Sequence, residues 1–282
     1  MQPQTLSLQE AADALGVHYM TAYRYVRLGL LSATKEGASW KVPASEVDRL
    51  RTEWLPSEPG RRPAGRSLEP APWAARLESR LRAGDERGSW GVVEAALASG
   101  TEPSEVYVQL LAPALRGIGE AWASGIIDVG VEHRASVIVM RMIGRLGPRF
   151  SRRDQTRGSV VLGAPPGDMH GLPTALLADL VRGAGFAVSD LGADTPLESF
   201  VRTAKDTDRL VAIAIGVTTP DNDATVRQVI GALHADVPGV PILVGGGALT
   251  GADHAAELGA DGWAPDAMAA LVLLEDVVAE AS

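Results

Sequence analysis

Cysteine is absent from the 282 residues, which excludes a disulfide framework, a thiolate metal site and thiol catalysis together. Aromatic side chains make up only 5% of the chain, so its cores must be packed from Ala, Val and Leu, as tightly packed helices and a parallel sheet allow. No apolar run approaches the roughly 20 residues of a membrane span, and no export signal opens the chain. The expectation is therefore a cytoplasmic protein of about two domains. A net charge of −9 argues against nonspecific nucleic-acid binding by the whole molecule. That total hides a local balance, because residues 1–55 carry six basic and six acidic side chains. Arg61, Arg62 and Arg66 follow, and most of the negative charge lies beyond them.

Composition divides the chain. The stretch SEPGRRPAGRSLEPAP has the Pro, Gly, Ser and Arg content of a linker. It places a small unit at 1–56, the linker at 57–72, a helical segment at 73–150 and an α/β segment at 151–282. In the first unit, Ser7-Leu8-Gln9-Glu10 reads as a capping box, and Leu8, Ala11, Ala12 and Leu15 share the face of the helix it opens. A second helix over about 19–28 presents Thr21, Arg24 and Tyr25 outward, the arrangement of a recognition helix, and with Tyr19 these are placed for base edges or backbone. Two short strands around Glu36-Gly37 and a helix capped by Ser45 complete the pattern, with Lys35 and Lys41 placed for phosphates. The whole resembles the excisionase and MerR-type winged helix-turn-helix families, including the aromatic-basic wing Trp40-Lys41-Val42, and so implies binding to a double-stranded DNA operator. The other reading of the unit is a helical protein-interaction module.

The middle reads as four helices, about 72–83, 86–99, 103–123 and 129–147, with connections short enough for an antiparallel bundle. Trp122 ends the third helix and Glu132-His133 begin the fourth, so one turn brings all three to the same end of the bundle. Without further context, the Trp is core and the Glu-His pair a solvated helix start favoured by the helix dipole.

The remainder alternates SVVLG, FAVSDLG, VAIAIGV, PILVGGG and GADGWA with helices, the pattern of a five-stranded, parallel, doubly wound sheet of flavodoxin-like type. Ligands of such sheets bind at the carboxyl ends of the strands. There, after SVVLG, the turn GAPPGDMHGLP carries Asp168-Met169-His170, an imidazole with a carboxylate two residues away to fix its tautomer. A P-loop and a G-x-G-x-x-G after the first strand are both missing, which leaves a nucleotide-binding or response-regulator reading without a site. Gly245-Gly246-Gly247 leave room for a bulky group to slide against backbone, and Thr218 and Thr219 offer hydroxyls at the mouth of the same slot. His234 and His254 read as surface residues.

Asp168-x-His170 resembles the cobalt-ligating signature of vitamin B12-binding domains, and Trp122-x9-Glu132-His133 resembles the cap of CarH/LitR-type B12-dependent photoreceptor regulators. The resemblance covers nearly the whole chain. It implies a multidomain α and α/β protein, not an enzyme, that regulates transcription. Adenosylcobalamin would be the chromophore and His170 the lower cobalt ligand. Trp122 would pack against the adenosyl group, Glu132 would contact it, and His133 would take the upper cobalt position after photolysis. Light would then change the state of a homo-oligomer, dimer or tetramer, and with it DNA binding. Two positions depart from the family pattern: Pro173 stands where a glycine is usual, with Gly171 nearby to supply flexibility, and Gly216 replaces a serine, leaving Thr218 to hydrogen-bond. Two further readings share these features: a corrinoid carrier of a methyltransferase system, and a regulator that senses cobalamin or another tetrapyrrole without light.

Overall fold

The structure, a computed structural model, describes residues 5–15, 22, 26, 31–36, 39–54, 70–151 and 157–280. The chain divides into two compact units, residues 1–68 and 69–282.

The first unit contains β1 (Thr5–Ser7), α1 (Leu8–Leu15), β2 (Thr34–Glu36), β3 (Ser39–Pro43) and α2 (Ala44–Trp54). The capping box forms: Ser7 Oγ accepts the Glu10 N–H at 3.2 Å, and Glu10 Oε2 accepts the Ser7 N–H at 2.7 Å. Leu8, Ala11, Ala12 and Leu15 are buried together against Ala22, Leu31, Val42 and Val47. Three strands pair in the order β1-β3-β2, not two, because Thr5–Ser7 adds an antiparallel edge to β3. Three residues running straight into a helix are too short to show alternation. Helix α2 begins at Ala44, so Ser45 lies inside its first turn and is not its cap. Glu46 of that turn ties the helix to the segment before β2, with Oε2 accepting the Ser32 N–H at 3.1 Å. The wing lysines also separate. Lys35 pairs with Trp40, whereas Lys41 pairs with Thr34 and Ser7, so alternation puts the two lysines on opposite faces of the sheet. Tyr19, Thr21, Arg24 and Tyr25 lie outside the described residues.

In the second unit, α3 (Pro70–Arg82), α4 (Glu86–Ala98), α5 (Pro103–Glu105), a π-helical turn (Val106–Leu111), α6 (Ala112–Ala123) and α7 (Val129–Leu146) form the helical part. Asp85 and Asp128 cap α4 and α7 by accepting the N–H groups of Gly88 and Gly130 at 2.8 and 2.7 Å. The third helix is not uniform. Pro113 has no N–H to give and crowds the preceding turn, and the wider π turn falls immediately before it.

The α/β part comprises β4 (Ser159–Gly163), α8 (Gly171–Gly183), β5 (Ala187–Asp190), α9 (Leu197–Asp206), β6 (Leu210–Gly216), α10 (Asp223–Asp236), β7 (Ile242–Gly245), α11 (Ala252–Glu257), β8 (Gly262–Ala264) and α12 (Ala267–Glu280). The five strands are all parallel in the order β5-β4-β6-β7-β8, which is the flavodoxin-like order. Helix α8 belongs to both parts. Its Leu176 and Leu180 share one core with Leu77, Tyr107, Leu110, Ile118 and Val139 of the helices, while Val181 packs toward Val160 and Ala212 of the sheet. The helix that follows His170 is therefore packed against the bundle as well as the sheet.

Candidate functional site

β4 and β6 are neighbours at the centre of the sheet, so the loops leaving their carboxyl ends converge. Asp168, in the first loop, is fully buried. Its Oδ1 accepts the His170 N–H at 3.1 Å and lies 2.7 Å from His170 Nδ1; its Oδ2 accepts the Thr218 and Thr219 N–H groups at 2.6 and 2.9 Å. Burying a carboxylate costs several kcal/mol, and hydrogen bonds to a charged group return about 1.5–3 kcal/mol each. Burial thus pushes the Asp168 carboxyl upward, but the Thr218 and Thr219 amides and His170 outweigh it and hold the group below the ordinary carboxylate range. An ionised Asp168 at this distance favours the tautomer that donates Nδ1–H to it. Nε2 of His170, on a side chain 46% exposed, is then left with its lone pair, the form in which imidazole binds a metal.

His170 occupies the N-cap position of α8, but its side chain makes no capping bond to the helix. Thr218 hydrogen-bonds through its backbone, not its hydroxyl; the hydroxyl that comes near the imidazole is that of Thr219, 3.4 Å from Nδ1. Pro173 lies exposed in the first turn of α8, where no N–H is required. At Gly171 an added Cβ would make only ordinary contacts with Ala193, at 3.5 Å, whereas at Gly216 it would press against Thr174 Cγ2 at 3.3 Å. The three glycines after β7 differ in what they do. A Cβ on Gly245 would come within 2.9 Å of the Ala264 carbonyl oxygen, and one on Gly246 within 2.3 Å of that of Val217, so these two are small because the adjoining backbone demands it. Only Gly247 borders open space.

At the bundle end, Trp122 is 46% exposed and His133 is 71% exposed in the first turn of α7. Glu132 accepts the Ser136 hydroxyl at 2.7 Å and lies 3.7 Å from His133 Nε2. Ile126 and Val129 of the same turn are exposed as well, and so is Met169 beside His170. Val137 and Met140 of α7 and Met268 and Val272 of α12 are exposed too, so exposed apolar residues are not confined to the places that carry the candidate ligands.

Two features escaped the sequence reading. Tyr107, in the π turn, donates its hydroxyl to Asp179 Oδ2 of α8 at 2.7 Å, and Arg182 donates to Oδ1 at 2.8 Å. Tyr107 and Asp179 are both buried. The visible signal was a carboxylate on the apolar face of LLADLV. His254 is not a free surface residue either, since its Nε2 lies 3.0 Å from Asp223 Oδ2.

The residues fit a cobalt macrocycle. Among the described residues no cluster of three or more His, Asp or Glu is ready for a bare ion. A corrin brings its own four nitrogens, so the protein need supply at most one further donor on a face, and His170 Nε2 offers one. Flavodoxin-like sheet, helical bundle and carboxylate-anchored imidazole together define a corrinoid-binding protein. The comparisons with known proteins agree. The B12 binding domain families match residues 158–272 and 73–146, and a helix-turn-helix domain family matches residues 5–54. Trimethylamine corrinoid protein 1 of Methanosarcina mazei is 30% identical over 176 residues, covering 60% of this chain and 80% of that protein. The dimethylamine corrinoid protein of Methanosarcina barkeri is 27% identical over 186 residues, 63% of this chain and 84% of that protein. The solved monomethylamine corrinoid protein of Methanosarcina barkeri shares the fold at a TM-score of 0.63 and 21% identity, over 71% of this chain and 95% of that one. The chain belongs to the family of B12-binding corrinoid proteins, and it carries a helix-turn-helix domain at its N-terminal end.

Proposed function

We propose that this protein is a DNA-binding regulator whose state is set by the corrinoid it holds, with adenosylcobalamin as a light-sensitive ligand. The observation that carries the reading is the helix-turn-helix match over residues 5–54 on the same chain as two B12-binding matches. The adenosyl form would supply a cobalt–carbon bond that light breaks. In this reading His170 holds the lower face of the cofactor, oriented by Asp168. Trp122 and Glu132 form the apolar and polar cover for its upper substituent, and His133 is the second donor once that substituent is lost. The exposed Ile126 and Val129 lie in the same turn, so a change of cover there alters an apolar surface available to a second copy. Oligomer size would then set how many DNA-binding units act together.

A second reading is supported by the relatives. The trimethylamine and dimethylamine corrinoid proteins favour residues 73–282 as a corrinoid carrier serving a partner methyltransferase. One experiment separates the two. Full-length protein loaded with adenosylcobalamin in darkness is passed over a sizing column and titrated into a randomised duplex DNA pool, before and after green light. The proposal requires DNA retention and a light-dependent change in size. DNA retention that depends on cobalamin but ignores light leaves a dark sensor, and no retention in any state favours the carrier.

A further inference from the structure

The loop that presents His170, Ala164 to Met169, carries two prolines and a glycine, and its one internal backbone bond is the turn in which the Asp168 N–H donates to the Pro165 carbonyl at 3.0 Å. A metal ligand must be held within a fraction of an ångström, and the clamp of Asp168 on His170 meets that need only if the loop carrying both residues is itself held. The loops after β5 and β6 hold it from both sides. Asp194, in the β5 loop, accepts the Gly167 N–H on Oδ1 at 2.8 Å and donates its own N–H to the Asp168 carbonyl at 2.8 Å. From the β6 loop, Asn222 Nδ2 donates to the Pro166 carbonyl at 3.0 Å. Asp194 makes its contacts from a left-handed backbone, φ +48°, which side chains bearing a Cβ avoid and Asp tolerates better than most. Glycine would adopt that conformation without strain but has no carboxylate to offer. The residue is thus explained by its acceptor, and the strained backbone by the need to aim that acceptor at Gly167.

We propose that Asp194 is a positioning residue for His170: it fixes the backbone on either side of the peptide that carries Asp168, and so sets where the imidazole stands. This rests on the reading of His170 as the cobalt ligand.

The test uses the full chain and four variants: Asp194→Gly, Asp194→Asn, Asn222→Ala and His170→Ala. In cobalamin-free protein, Asp194→Gly removes the acceptor and relieves the backbone. Amide exchange of Gly167 should then quicken about ten-fold or more, and that of Thr218 and Thr219 should follow as Asp168 loosens. Asp194→Asn, which keeps an oxygen at Oδ1 and tolerates the same φ, should restore protection. In titrations with aquacobalamin, Asp194→Gly should bind about 10-fold more weakly, the lower end of the 10- to 100-fold range for residues that orient a ligand, with a larger share of the spectrum lacking histidine ligation. Asp194→Asn should recover both. Asn222→Ala should produce a smaller loss of the same kind. If His170→Ala weakens binding while Asp194→Gly matches the parent in exchange and spectrum, the proposal is overturned and the ligand reading stands. If His170→Ala itself binds as the parent does, the ligand reading falls and the positioning of His170 on cobalt falls with it.

Discussion

Replacing Tyr107 by Phe isolates the contact between the bundle and the helix that leads from His170. The ring is 1% exposed and Phe fills the same space, so the change removes one hydroxyl and little else. That hydroxyl donates to a carboxylate oxygen of Asp179, which is 5% exposed and keeps only its Arg182 bond, at 2.8 Å on the other oxygen. A buried hydrogen bond to a charged group is worth about 1.5–3 kcal/mol. At roughly 2–4 °C per kcal/mol for a unit of this size, a loss near 2 kcal/mol lowers Tm by about 4–8 °C. The pH dependence provides a second check. Burial first, then the bond to Asp179 and its charge, push the Tyr107 phenol far above its ordinary value. The unfolded chain ionises there near pH 10 and the folded one does not. The stability contributed by Tyr107 is therefore whole below pH 10 and is lost as pH rises beyond it. Calorimetry on parent and variant from pH 7 to pH 11 should show the Tm gap at neutral pH and its narrowing above pH 10. A variant within 1 °C of the parent at pH 7, or a gap that stays constant to pH 11, would refute the assignment of this bond as a link between the two parts.

The glycines after β7 should separate by role. Gly246→Ala forces a Cβ to within 2.3 Å of the Val217 carbonyl at φ +124°, and should destabilise by on the order of 3 kcal/mol in a denaturant titration. Gly247→Ala faces open space and should leave stability unchanged while weakening cobalamin binding in a spectroscopic titration; unchanged binding would place the cofactor away from this glycine. In the first unit, the Arg49 side chain first, then the Ser32 amide, hold the Glu46 carboxyl down at about 2. Its contribution is complete above the ordinary Glu value near 4.3 and lost as pH falls toward 2, so Glu46→Gln should flatten the acid limb of the unit's melting curve. An acid limb identical in the variant would assign that limb to other carboxylates.

Much of the fold was legible because its signals are periodic. Five short runs alternating with helices lead to a parallel sheet because each helix returns the chain to the same end, and the observed order places the Asp168 loop beside the Thr218 loop at the sheet centre. What remained hidden depended on pairings distant in sequence. Nothing near Tyr107 announces that its partner is Asp179, 72 residues on, and nothing in a three-residue strand announces a sheet edge. The site shows the same division. Asp168 and His170 were readable from their spacing, whereas the role of Thr218 lay in a backbone amide, which a sequence cannot display. Lys35 and Lys41 read as a pair until register put them on opposite faces. Gly245 and Gly246 read as a slot, but answer to the Ala264 and Val217 carbonyls.

The central claim is that an imidazole of this chain, oriented by Asp168, binds cobalt from below. Electron paramagnetic resonance of the cob(II)alamin-loaded full-length protein, prepared with ordinary histidine and with 15N-histidine, tests it directly. An axial nitrogen splits the high-field cobalt lines by its nuclear spin. The account predicts triplets with 14N that become doublets with 15N-histidine, and their loss in His170→Ala. Triplets that persist unchanged in the labelled protein would mean that the cofactor's own base binds the cobalt, and His170 would not be the ligand.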